Sequence, residues 1–206
     1  MTLAKADNLS TSKDQPTRDL ILDAAARLFT ARGGAVRLED VAEEAGVSRQ
    51  AVYLHFGSRT GLLVAMAQHM DSTGVLPGLL TRVFDASTAT EALDAAAALH
   101  AEYHPMIYQV ARVFMVGRYE DEALQAAWDE RMESRRNLYH TVVERLEEEG
   151  HLASVWDIKT ATDFLFALTS WQLWEQLVID RGWSTEDYLN HIRTVIRQTL
   201  VFVTPV

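Results

Sequence analysis

Residues 36–63, VRLEDVAEEAGVSRQAVYLHFGSRTGLL, decide how the rest of the chain is read. Leu38, Val41, Ala42 and Ala45 recur at helical spacing and share one face. Gly46 follows them, a residue free to adopt positive φ and so to end a helix. Val47 tucks back, and Ser48 is a well-formed N-cap for a second helix running to Phe56. Val52 and Phe56, four apart, form its buried side. Two short helices joined through a glycine-containing turn describe a helix-turn-helix, whose second helix can enter a DNA major groove.

The residues left on the other faces suit that task. Arg49 and Gln50 sit in the first turn; Arg can pair bidentately with guanine and Gln with adenine. Ala51 is small enough to meet a thymine methyl. Tyr53 and His55 can hydrogen-bond phosphates, as can Ser48 near a helix N-terminus. Gly57 ends the helix, Ser58 caps the next, and Arg59 is placed to reach phosphate. The pattern alone also fits an ordinary helical hairpin with a capped second helix.

Working outward, Pro16-Thr17 opens a first helix whose apolar stripe is Leu20, Ile21, Ala24, Ala25, Leu28 and Phe29, closed by Gly33-Gly34. Residues 1–15 are polar and uncapped and read as a disordered tail. The helix from Arg59 carries Leu62, Leu63, Met66 and Met70 inward.

From Thr17 to about Met70 the chain resembles the DNA-binding domain of the TetR family of bacterial repressors. The words that carry the likeness are TRDLILDAAARLFTARGG, VAEEAGVS and YLHFGSRTGLL. The resemblance covers about a quarter of the chain. It implies an all-α fold of about nine helices: a three-helix DNA-binding domain at 16–57 and a helical ligand-binding and dimerisation domain at 58–206. It also implies a homodimer whose last two helices pack against their copies, a palindromic DNA operator, and release of that operator by a small-molecule effector. One departure stands out. Arg37 lies where the family usually has Ser or Thr, so Arg37 is expected to contact phosphate instead of capping.

The body supports this reading on its own terms. His104-Pro105 is expected to break one helix and open another. Asp121 to Glu149 reads as one long helix, and Asp157 to Asp180 as another with two apolar seams. One seam holds Phe164, Ala167, Trp171, Trp174 and Val178; the other holds Leu165, Leu168, Gln172 and Ile179. A helix apolar on two sides must be covered on two sides. With the resemblance, Leu165, Leu168, Gln172 and Ile179, and Leu189, Ile192, Val195 and Ile196 of the last helix, become the expected dimer interface. Tyr103, Met106, Val110, Phe114, Trp128, Phe164, Trp171 and Trp174 either line an apolar effector cavity or simply fill the core. His100, His104, Gln109, Arg112 and Gln172 are polar fixtures for such a cavity. Trp and Met together suit a bulky hydrophobic or aromatic effector, or a cationic one.

Charge and composition bound the rest. Net charge is −10, yet through Thr60 eight Lys/Arg balance eight Asp/Glu, so the acidity belongs to the body and leaves the head as the attractive surface for DNA. The chain has no cysteine, which excludes disulfides, thiol catalysis and Cys-ligated metal. No phosphate loop, nucleophile elbow or His–carboxylate set points to an enzyme or a cofactor. His100 and His104 are one turn apart with no evident third ligand, so no metal is expected. No apolar run reaches membrane-span length and no signal-peptide pattern opens the chain, which reads as cytoplasmic.

Overall fold

The computed structural model describes residues 11–202, and side chains from residue 15. Residues 1–10 of the expected tail, and Val203 of the last apolar stripe, lie outside them. The described chain is helical throughout and divides into two compact units: one up to Gly74 together with Ile107–Trp128, the other Val75–Met106 together with the chain from Asp129 onward. The division does not follow the expected boundary at residue 57.

In the first unit α1 (Thr11–Arg32) begins before Pro16, so residues 11–15 are helical. Leu20 is exposed and Leu22 buried, which turns the expected stripe toward Ile21, Leu22, Ala24, Ala25, Leu28 and Phe29. A single 3₁₀ turn, Gly33–Ala35, leads to α2 (Leu38–Glu44), α3 (Arg49–Phe56) and α4 (Arg59–Thr73). Between α2 and α3, Gly46 takes φ +68°, a region that penalises a Cβ. The Val47 N–H then bonds the Ala42 carbonyl at 2.9 Å, closing the turn. The Ser48 hydroxyl accepts from the Ala51 N–H at 3.1 Å, the N-cap its position implies. α4 packs on α1 through Leu62, Leu63 and Met66, all fully buried. That packing is why α4 belongs with the head and not with the body.

The head is completed from far along the chain. Gln109 lies against Gly33 and Val113 against Gly34. The Thr60 hydroxyl donates to Asp121 at 2.6 Å, while the other Asp121 oxygen accepts from the Ala123 and Leu124 N–H groups that open α7 (Glu122–Glu148). These bonds hold the Asp121 carboxyl below its ordinary range, the Thr60 bond most of all.

The second unit contains α5 (Leu76–Phe84), the start of α6 (Ala89–Gly117), most of α7, α8 (Ile158–Leu168), α9 (Trp171–Trp174) with a following π-helical turn (Glu175–Asp180), and α10 (Thr185–Leu200). Two expectations fail here. Pro105 does not end a helix; it sits exposed inside α6. Proline costs a helix interior about 3 kcal/mol. Buried residues on both sides, from Ala96 to Tyr103 and from Tyr108 to Phe114, give the rod reason to continue. Conversely, the expected single helix from Asp157 to Asp180 is two. The Thr169 hydroxyl bonds back to the Leu165 carbonyl at 2.8 Å, and Ser170 leaves the helical region (φ −67°, ψ 154°) to cap α9. The two long seams read across 157–180 therefore never formed.

α8 and α10 are in contact, and a single antiparallel bridge, Leu152 to Val201, ties the loop after α7 to the end of α10. The Trp156 indole N–H fastens the same loop to the Thr199 carbonyl at 2.7 Å. Among the described residues no helix is long and apolar enough to cross a membrane.

Candidate functional site

The reading face of α3 is presented by its cap and its packing. Val52 is fully buried and Phe56 half-buried beneath the Arg18 guanidinium, whose centre lies 5.5 Å from the ring. That anchorage leaves Arg49, Gln50 and Tyr53 exposed together on the outer side. Arg49 is engaged with Glu39 of α2 at 3.0 Å, an exposed ion pair that DNA can exchange for a base or a phosphate. Ala51 and His55 are only half-exposed. Leu54, which the sequence did not single out, is 77% exposed on the same helix and offers an apolar contact of the kind a thymine methyl accepts.

Three residues expected at phosphate also have local contacts of their own. The Ser48 hydroxyl is committed to its cap. Arg37 stands at the N-cap of α2 with an exposed side chain, and its backbone N–H donates to Asp40 at 2.8 Å. Asp40, at the third helical position, thus reaches back to the N-cap N–H, the half of a capping box that does not depend on the N-cap side chain. Arg59 is a brace. Its Nε donates to the Val36 carbonyl at 3.3 Å, one terminal nitrogen donates to the Gly34 carbonyl at 3.0 Å, and its plane lies 5.3 Å from the Phe29 ring. Two of its five N–H donors are thus engaged within the head.

The expected effector-lining residues are divided between the two units. Val110, Phe114 and Trp128 are buried in the first unit, with Arg118 5.0 Å over the Trp128 ring. Met106 is half exposed, and Phe164 packs on Trp156 at 5.0 Å. Tyr103 is buried in the second unit. Trp171 and Trp174 do come together, 6.3 Å apart edge to face, because they are three residues apart on α9.

What they enclose is a histidine. His104 stacks on Trp171 at 3.7 Å and meets Trp174 edge-on at 5.7 Å. His100, one turn back on α6, is 5.2 Å from His104 and 5.4 Å from Tyr139 of α7. Tyr139 is hydrogen-bonded to Thr169. Arg135, one turn before Tyr139, lies 5.8 Å from that ring and 4.2 Å from the Phe166 ring, and donates to the Phe166 carbonyl and the Thr169 hydroxyl. Burial pushes both imidazoles well below their ordinary pKa, and the Arg135 charge pushes the same way, so both are neutral. Burial likewise raises the Tyr139 and Tyr188 phenols. Nε2 of His100, Nδ1 of His104 and the Tyr188 hydroxyl are buried with no protein partner, in a molecule type where such groups are normally satisfied. Sequence reasoning found both histidines and both tryptophans but missed Arg135, Tyr139, Thr169 and Tyr188. Tyr188 was findable, since it shares one face of α10 with Ile192 and Ile196. Among the described residues no group of three or more His, Asp or Glu side chains could hold a metal ion.

The residues expected at a dimer interface also divide. Leu165, Ile192 and Ile196 are buried within the chain, at 0%, 4% and 1% exposure, and belong to its core. Gln172, Ile179 and Val195 are exposed, and Leu168 and Leu189 half-buried.

Comparison with known proteins bears on the head first. The family model for bacterial regulatory proteins of the tetR family matches residues 21–66. An uncharacterized HTH-type transcriptional regulator of Mycobacterium tuberculosis is 34% identical over 92 residues, 44% of this chain and 45% of that protein. The HTH-type transcriptional regulator TtgR of Pseudomonas putida is 43% identical over 60 residues, 29% of each chain. The chain therefore aligns with less than half the length of these curated relatives. The fold extends further: a transcriptional regulator from Saccharomonospora viridis, crystallised in complex with choline, superposes with a TM-score of 0.82 over 92% of this chain and all of that one, at 19% identity. The helix-turn-helix head thus matches the tetR family of bacterial regulatory proteins over residues 21–66, and the all-helical fold is shared with the Saccharomonospora viridis regulator.

Proposed function

We propose that this protein is a dimeric transcriptional repressor that leaves a palindromic operator when a small hydrophobic or aromatic molecule occupies the second unit. The observation that carries the reading is the exposed Arg49, Gln50 and Tyr53 face on a helix whose opposite side is locked by Val52 and by the Ser48 cap. Arg and Gln at the first turn of such a helix are suited to base edges, and Tyr53 to phosphate.

Dimerisation is supported by exposed apolar side chains at the end of the chain, Ile179 and Val195. A two-fold protein matches a two-fold operator. Effector binding is supported by the ring cluster around His104. Release follows if the effector binds more tightly to the arrangement that fits operator DNA poorly; only that difference in affinity can shift the balance.

The test is selection of duplexes from a random pool by the purified protein at about 100 mM salt, where non-specific phosphate binding is competed. Enrichment of an inverted repeat supports the dimeric reader. Enrichment of a single half-site overturns the dimer, and no enrichment overturns the reader.

A further inference from the structure

We propose that the cluster around His104 is a binding site for an anionic planar molecule, an aromatic carboxylate or a compound of like chemistry, with Arg135 as its counter-ion. This deepens the effector reading above and rests on it for the biological role, though not for the binding.

The rings alone would suggest a cation. Trp171, Trp174, Tyr139 and Phe166 make up an aromatic-rich cluster of the kind that attracts positive charge. The protein has already supplied that charge. Arg135 lies over Phe166 at 4.2 Å and beside Tyr139 at 5.8 Å, so a second cation would meet a guanidinium. Its own hydrogen bonds go to neutral acceptors: the Phe166 carbonyl, the Thr169 hydroxyl and, at 3.8 Å, the Met132 sulfur. Among the described residues no carboxylate forms an ion pair with it; Asp163 of α8 is held by Arg136 and Lys159. A partly buried guanidinium without a carboxylate is unusual, because burying an unpaired charge is costly. Its Nε is buried and has no partner.

The remaining orphans fit the same ligand. The neutral His100 and His104 rings and the Tyr188 hydroxyl can each donate to an oxygen, and a carboxylate takes several donors. Trp171 supplies a plane, already stacked on an imidazole at 3.7 Å, against which a flat ring can lie. Water would satisfy the imidazoles equally but would bring no charge to Arg135.

The experiment is calorimetric titration of the full-length protein, without DNA, with three ligands sharing one ring: 2-naphthoate, 2-naphthamide and 2-naphthyltrimethylammonium. The expected order is naphthoate at least about tenfold tighter than the amide, with the ammonium weakest; tenfold corresponds to about 1.4 kcal/mol. Arg135→Met should abolish the advantage of naphthoate over the amide, and Arg135→Lys should keep part of it. Far-ultraviolet circular dichroism identifies any variant that fails to fold, and the ordering of the three ligands on the unaltered protein needs no variant. An ammonium that binds as tightly as the carboxylate, a carboxylate advantage that survives in Arg135→Met, or no naphthoate binding at millimolar concentration overturns the assignment. Naphthoate that binds as described yet fails to release operator DNA leaves the site standing and overturns its role as the effector site.

Discussion

Arg59 clamps the turn ahead of α2 to the start of α4. Replacing it with alanine removes two charge-assisted hydrogen bonds to backbone carbonyls and a stacking contact on Phe29. Such bonds are worth about 1.5–3 kcal/mol each when buried. The Gly34 bond is exposed and the Val36 bond only partly buried, so each is discounted to about 1 kcal/mol. With about 0.5 kcal/mol for the ring contact, the expected loss is about 2–3 kcal/mol. In a chain of this size that lowers Tm by about 5–10 °C. The measurement is thermal and urea unfolding of Arg59→Ala and Arg59→Lys, with operator affinity followed against salt. Lysine keeps the charge but cannot fork to two carbonyls, so it should recover less than half of the loss. The reasoning is refuted if Arg59→Ala stays within about 0.5 kcal/mol of the unaltered protein while the salt slope of DNA binding falls by about one.

Other outcomes follow from the same geometry. Arg49→Ala should relax base preference at one position in each half-site, at a cost of about 1–3 kcal/mol, whereas Tyr53→Phe should weaken all sequences alike; competition binding against single-base operator variants separates them. His100 and His104 have folded pKa values below the ordinary 6.5, so the unfolded chain binds protons first as pH falls. Stability should be full above that value and decline from about pH 6.5 downward, by up to about 1.4 kcal/mol per pH unit for each histidine. The urea midpoint between pH 7.5 and 5 should show that decline and His104→Phe should flatten it; an unchanged slope in the variant removes His104 from the account. Ile179→Asp or Val195→Asp should give a folded monomer in sedimentation, whereas Ile196→Asp should unfold the second unit; an intact dimer from both surface variants moves the interface elsewhere.

The head was legible because its signals are local. Ser48, Gly46 and the spacing of Val41, Ala42 and Val52 each act within one or two turns, and each stands where the pattern puts it. The body was less legible because its decisions are made between distant residues. Nothing near Pro105 announces that α6 runs through it; the reason is burial on both sides. Nothing in the apolar seam of 157–180 announces the break at Ser170, which rests on hydroxyl groups bonding the backbone. Periodicity also marks which residues are apolar without saying whose core they enter. Ile192 and Ile196 fill their own chain, while Ile179 and Val195 do not. Arg135 escaped notice for a related reason: an arginine on a long, charged helix reads as a solvated side chain until the rings it lies against are seen.

The interleaving of the first unit has a consequence for how the protein is made. The head needs Gln109, Val113 and Asp121 to cover Gly33, Gly34 and Thr60, so it cannot finish folding when its own helices leave the ribosome. At about 5–20 residues per second, the stretch from Val75 to Trp128 takes roughly 3–10 s to appear. For that interval α1 to α4 exist without the segment that completes them. A nascent chain stalled after Gly74 should therefore be more open to protease in the head than one stalled well beyond Trp128.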